Sequence, residues 1–205
     1  MSSELGLRQR KTKKRREEIL HAALESFNEL GFRDTKIEQI VELSGSSIGS
    51  IYHHFGGKED VAAALYVYLV GEYRPGFLAA LRSSDDAETS IKNLVRFQTS
   101  WLADNPKYAA YLLSTYGGEV QRLINEKLSR TKNETVAGIN TWFIEKVRAG
   151  EIRRLSPEIF RGLISGATHE IVRVRLSLGQ KIEFSPETVE ILADNVWSSL
   201  RVKKD

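Results

Sequence analysis

Apolar residues recur along most of the chain at intervals of three and four, the period of an amphipathic helix. Ile19, Leu20, Ala23, Leu24, Phe27 and Leu30 form one such stripe, and Gly31 behind it predicts the end of a first helix that begins near Arg16. Thr35 followed by Glu38 has the spacing of a capping box and opens a second helix, burying Ile37, Ile40 and Val41 with Leu43 as a further candidate, that stops at Ser44-Gly45. Ser46 or Ser47 caps a short third helix, Ile48 to His54, closed by Phe55-Gly56-Gly57. Lys58 opens a fourth, which Pro75 is expected to kink or end near Tyr73 before it continues to Leu81. A fifth runs from about Ala87 to Asp104 and turns Ile91, Leu94, Val95, Gln98, Trp101 and Leu102 inward. Asn105-Pro106, Ser156-Pro157 and Ser185-Pro186 each set a capping side chain before a proline suited to the first helical position. They predict helices over about 106–116, 157–179 and 186–202, with one long helix from Glu119 to Ala149 between, ended by Gly150. No strand pattern longer than a few residues and no repeat occurs. The expectation is an all-α chain of about nine helices.

Composition narrows the class. The 205 residues allow one ordinary domain or two small ones sharing a core, and 41% apolar with 28% charged residues excludes bulk disorder. The absence of cysteine excludes a disulfide scaffold, a thiolate metal site and a cysteine nucleophile, and suits a reducing compartment. The longest apolar run, Val61 to Val70, falls short of the roughly 20 residues that cross a bilayer. The opening Met1-Ser2-Ser3-Glu4-Leu5 lacks the apolar core of an export signal, so a cytoplasmic location is expected. The net charge of +3 is unevenly spread: residues 1–16 carry seven basic groups against Glu4, a balance of +6, and the remainder carries −3. A basic arm on a mildly acidic body suits a polyanion, although a solvated tail has the same composition. Anionic lipid would need an apolar anchor beside the charges, which Leu5 and Leu7 scarcely supply, so no membrane partner is expected.

Residues 35–55 carry the chemistry. Two short helices joined by a tight Ser-Gly-Ser turn form a helix-turn-helix, whose second helix can enter the major groove. Any helical hairpin in a bundle shares that outline, but three features favour DNA. The basic arm lies immediately upstream. The short helix offers Ser46, Ser47, Tyr52 and His53, which suit phosphates and base edges better than a core. Gly49 in mid-helix costs about 1 kcal/mol relative to alanine, which is intelligible if the backbone approaches DNA closely. The segment resembles the TetR family of bacterial transcription regulators. The resemblance is carried by Thr35, Ile40, Gly45, Ser47, Gly49, Ile51-Tyr52-His53-His54-Phe55 and Lys58-Glu59 at fixed offsets, after a helix ending Phe27-x3-Gly31-Phe32. It covers roughly residues 15–65, and Ala149-Gly150-Glu151-Ile152-Arg153 is a weaker echo of a turn before the family's last two helices.

The resemblance implies an all-α protein with a basic arm (1–14), a helix-turn-helix DNA-binding domain (15–60) and an effector-binding and dimerisation domain (61–205). Thr35 and Ser47 would donate to phosphates from helix starts, Tyr52 would reach phosphate through its hydroxyl, and His53 would reach phosphate or a base edge. Lys58 would pair with the DNA backbone at the edge of the site, and Gly49 would admit a thymine methyl or a sugar. His54 and Phe55 are assigned to packing. Two positions depart from the family pattern: Ile48 stands where many relatives carry a charged residue or proline, and Ser46 replaces an apolar turn residue. Ile48 either contacts thymine methyls or is an indifferent exposed side chain.

An effector pocket is expected among Trp101, Tyr108, Tyr111, Thr131, Thr135, Trp142, His169 and Arg173, all of which are also ordinary core or surface candidates. Dimerisation through the last two helices would use the small residues Gly162 and Gly166 and the apolar Val189, Leu192, Val196 and Trp197. The function so implied is a homodimeric, ligand-responsive DNA-binding regulator, a repressor released from a palindromic double-stranded operator by a small molecule. The competing reading is a helical small-molecule sensor or carrier with degenerate DNA contacts. Catalysis is not expected, because Gly56-Gly57-Lys58 lacks the phosphate-loop spacing and is followed by Glu59. Neither a metal nor a cofactor is expected, since the four histidines include no pair spaced four apart.

Overall fold

The computed structural model describes residues 2–114, 118–130 and 134–203, with side chains from residue 7 onward. Among these residues there are ten α-helices: α1 (Ser2–Asp34), α2 (Ile37–Ser44), α3 (Ile48–Phe55), α4 (Lys58–Leu81), α5 (Ala87–Asp104), α6 (Pro106–Leu112), α7 (Gly118–Arg130), α8 (Glu134–Arg148), α9 (Pro157–Ser177) and α10 (Pro186–Leu200). The only extended pairing among them is an isolated antiparallel bridge between Ile152 and Arg201. Among the described residues no helix is long and apolar enough to cross a membrane.

The all-α expectation holds, with two differences in the helices. The interval expected as one helix from Glu119 to Ala149 holds α7 and α8, and residues 131–133 between their described ends lie outside the described residues. The first helix begins at Ser2 and so takes in the basic arm. Arginine, lysine, glutamine and leucine are good helix formers, and this stretch contains no proline. The pairs Lys13–Glu17 (3.8 Å), Lys14–Glu18 (4.0 Å) and Arg15–Glu18 (3.0 Å) add weak support on its surface. The backbone leaves helical geometry at Gly31, where the stripe predicts the end. Pro75 sits inside α4 without ending it. The three prolines at Pro106, Pro157 and Pro186 open α6, α9 and α10 at the first helical position.

Two compact units emerge, comprising the described residues within Met1–Leu69 and Ser114–Thr131, and those within Val70–Leu113 and Lys132–Asp205. The sequence division at residue 60 therefore differs from the structural one, which falls inside α4 and adds α7 to the first unit. In that unit Ile19, Leu20, Ala23, Leu24 and Phe27 of α1 are buried, as are Ile40, Ile51, Phe55, Val61 and Leu65. Lys127 of α7 pairs with Asp60 of α4 at 2.9 Å.

The second unit is centred on α5, which packs against α9 and α10. Ile91, Leu94 and Val95 meet Ile164, Leu192, Val196 and Leu200 in one apolar cluster. Two ion pairs, Lys92–Asp194 (2.8 Å) and Arg96–Glu190 (2.6 Å), flank the α5–α10 seam. The Gly150-Glu151-Ile152-Arg153 turn is a clasp. Glu151 accepts from the Ala87 N–H at the start of α5 (2.9 Å) and from Lys146 Nζ (3.0 Å). Ile152 is fully buried, and Arg153 N–H donates to Leu200 O at 2.8 Å. The motif thus supplies an orphan helix-start donor with a carboxylate and ties the C-terminal end of α10 back to the bundle.

Candidate nucleic-acid interface

The turn between α2 and α3 rests on Gly45, whose φ of 61° lies in the left-handed region that other residues enter at a cost. Ser47 then caps α3, accepting from Ser50 N–H at 3.1 Å. The next eight residues divide cleanly. Ile51 and Phe55 point into the core, while Ser47, Ile48, Gly49, Tyr52 and His53 share one exposed face, with Ile48 46% and Tyr52 53% accessible. Around Gly49, Ser47 Oγ is the nearest atom to an added Cβ, at 4.0 Å, so the helix backbone is open to an approaching surface. A helix that buries two residues and leaves two large side chains in water is shaped for a partner.

Basic residues of α1 hold this face in place. Arg16 Nη1 donates to His54 O at 3.0 Å, at the C-terminal end of α3, and its guanidinium lies 4.3 Å from the centre of the Phe55 ring. Arg15 Nη1 reaches Ser44 O at 3.5 Å, at the end of α2. Both cations therefore meet the negative end of a helix dipole, and neither is a free member of the arm. Arg8, Arg10, Lys11, Lys13 and Lys14 stay exposed on the outer turns of α1. Burial first, then the electrostatic influence of His53, Arg16 and Arg15, holds the His54 imidazole below its ordinary value.

Three residues assigned to DNA are occupied within the fold. Thr35 is 1% exposed, and its hydroxyl donates toward Gly31 O (2.8 Å) and Ser26 O (3.1 Å), where α1 ends. The start of α2 is closed one residue later, by Lys36 N–H donating to Gln39 Oε1 at 2.7 Å. Ser46 is buried beneath the turn, so it replaces an apolar side chain in packing and has no free surface to offer. Lys58 is half-buried, with Nζ donating to Phe32 O (2.9 Å), Arg33 O (3.1 Å) and Thr35 O (2.8 Å). An ammonium has three donors, and all three are engaged there. Spacing alone cannot separate a cation that caps a helix end from one that meets phosphate.

Comparison with known proteins gives this geometry a family. Residues 19–65 match the model of the bacterial regulatory proteins of the tetR family. The chain is 27% identical over 216 aligned residues to the HTH-type transcriptional regulator RutR of Escherichia coli strain K12, covering 97% of this chain and 90% of the relative. The chain belongs to the TetR family. Its fold is that of a TetR family transcription regulator solved from Marinobacter aquaeolei, with a TM-score of 0.73 over 96% of this chain and all of that one at 16% identity. The transcriptional regulator FadR of Bacillus subtilis, solved in complex with stearoyl-CoA, superposes with a TM-score of 0.68 at 23% identity, covering 88% of this chain and 95% of that one. As a TetR-family member the chain is a DNA-binding transcription regulator, and the helix-turn-helix lies inside the matched residues.

In this TetR-family chain the remaining expected residues fall into different surroundings. Tyr111 and Trp142 are buried in the core of the second unit. Arg173 is exposed and paired with Glu170 along α9. Trp101 and Tyr108 are partly buried with their rings 6.0 Å apart, and Thr135 is partly buried on α8. Thr131 lies outside the described residues. Desolvation, then the charge of Arg173, pushes the half-buried His169 down to about 4. Of the residues expected at the dimer interface, Leu192 and Val196 are core, Trp197 packs against that core, and Val189 is partly buried. Their stripe faces α5, because one apolar periodicity serves a core and an interface alike. Gly162, Gly166, Ile159 and Ile191 are exposed on α9 and α10.

Proposed function

We propose that the chain is a homodimeric repressor that binds a palindromic double-stranded operator through α3 and leaves it when a small molecule binds the second unit. Ser47, Tyr52 and His53 contact phosphates or base edges, Ile48 contacts thymine methyls, and Gly49 allows the close approach. The observation that carries this reading is the single exposed face of α3, polar and aromatic, opposite the buried Ile51 and Phe55. Thr35, Ser46 and Lys58 support that face from within the fold. One recognition helix reads too few base pairs for useful specificity, which favours two copies on two half-sites. The exposed α9–α10 surface around Ile159, Gly162, Gly166 and Ile191 is the proposed contact between copies. A relative in the same fold that was solved with stearoyl-CoA supports ligand control.

The test is selection of bound duplexes from a random library, with sedimentation of the protein and its complex. Enrichment of an inverted repeat bound by a dimer is expected. Recovery of no preferred sequence, together with ligand binding, would favour the sensor reading instead.

A further inference from the structure

The inner face of α1 continues past the core. At about 100° per residue, Ile19, Leu20, Ala23 and Phe27 lie within about 60° of the angular position of Arg16 on the helix, and all four are buried. Thr12, Gln9 and Arg8 carry the same face outward, within about 80° of that position. Along it the residues change from apolar to polar and cationic at Arg16, and residues 7–15 are all exposed. A face that is core over residues 19–27 and then overhangs the fold as threonine, glutamine and arginine is patterned for a charged partner.

The overhang starts at the recognition helix. Arg16 Nη1 donates to His54 O at the end of α3, and His53 beside it belongs to the exposed face. From Arg16 an open groove of about 420 Å³ runs outward along α1, lined by Arg8, Gln9, Thr12, Lys13 and Arg16. The Thr12 hydroxyl is turned back onto Arg8 O of its own helix at 3.0 Å. That leaves the Arg8 guanidinium, the Gln9 amide and the Lys13 ammonium as donors along the groove. The far side of the helix differs. Arg10 and Lys14 lie about 120° and 160° from Arg16, and Lys14 pairs with Glu18.

The spacing suits a duplex. Arg8 is eight residues beyond Arg16, about 12 Å at 1.5 Å per residue, which equals three to four steps of about 3.4 Å along one strand. Guanidinium and amide donors at that reach match successive phosphodiesters, and such contacts hold DNA without reading its bases. We propose that the Arg8–Gln9–Thr12 face of α1 is a second DNA contact, a helical rail that holds the phosphate backbone of the duplex flanking each half-site. The inference rests on the proposed operator-binding regulator and extends its footprint beyond the base pairs under α3. Because the rail is a helix, it acts through the phase of its side chains as well as through their charge.

The test uses two duplexes with the same selected half-sites, one ending at the last selected base pair and one extended by about six base pairs on each side. The full chain is compared with Arg8→Ala and Arg10→Ala, each of which removes one exposed cation from the same helix and inserts a good helix former. Fluorescence anisotropy over a range of salt gives affinity, and sedimentation gives the state of the free protein. The wild type is expected to bind the extended duplex about fivefold or more tightly than the short one. Arg8→Ala should remove most of that gain and make the salt slope on the extended duplex shallower by about 0.9, while Arg10→Ala leaves both unchanged. Equal losses from the two variants would reduce the arm to charge alone and overturn the rail. A change in sedimenting species with Arg8→Ala would assign the groove to a second copy and overturn it too. Sequence-selective binding of the short duplex with no gain from the flanks overturns the rail and leaves the regulator reading standing. A gain that depends on Arg8, without preference for the selected half-sites over scrambled ones, supports the rail and contradicts that reading.

Discussion

Lys58 illustrates how a residue near a DNA-binding face can serve the fold instead. Its three ammonium donors end on two carbonyls of the last turn of α1 and one of the link to α2, with the Phe32 ring 4.7 Å away. Lys58→Ala should therefore lower stability by on the order of 1–3 kcal/mol in urea unfolding and leave the salt dependence of DNA binding unchanged. Unchanged stability with a salt slope shallower by about one would instead make it a phosphate ligand. His169 carries a pH prediction. Its unfolded imidazole binds a proton near 6.5 and its folded one near 4. The contribution is full above about pH 6.5 and is lost as pH falls toward 4, at up to about 1.4 kcal/mol per pH unit. His169→Gln should flatten the pH profile of unfolding in that window, and a profile as steep as wild type would contradict the burial of the ring. Ile48 makes the third residue-scale prediction. With a T·A pair beneath the start of α3, changing it to C·G should cost on the order of 1 kcal/mol in the wild type and nothing in Ile48→Ala. Additive effects would show that Ile48 does not read that base.

At the scale of the element, α1 combines two tasks in one helix. Its inner stripe from Ile19 to Phe27 is core, Arg15 and Arg16 cap α2 and α3, and the outer turns carry exposed cations. Removing residues 2–14 should spare the melting temperature and make the salt slope of DNA binding shallower by about 0.9 for every phosphate that the arm neutralises. An unchanged slope would make the outer turns a solvated extension. Helix starts and stops were legible because proline, glycine and capping side chains act locally: Pro106, Pro157 and Pro186 open their helices, and Gly31 and Gly45 close theirs. The exposed face of α3 was legible for the same reason, since eight residues can bury only one side. What escaped was tertiary. Nothing local to Thr35, Ser46 or Lys58 says that the fold buries or engages them. The stripe of Leu192 and Val196 reads identically whether α5 or a second copy covers it. Gln98 reads in sequence as one inward residue among many, and only the fold sets Tyr73 beside it.

For the whole molecule, the exposed face of α3 is assigned to DNA. That assignment is the central one, and Tyr52 bears most directly on it. Its ring is exposed on α3 and its removal takes nothing from the core formed by Ile51 and Phe55. The decisive measurement is the affinity of Tyr52→Ala for the selected operator, by fluorescence anisotropy at fixed salt, with the melting temperature of the same sample. A fall in affinity of about tenfold or more, equivalent to about 1.4 kcal/mol, with no change in melting temperature is predicted. Full affinity, or a weakening matched by a large fall in melting temperature, would show that this face does not read DNA.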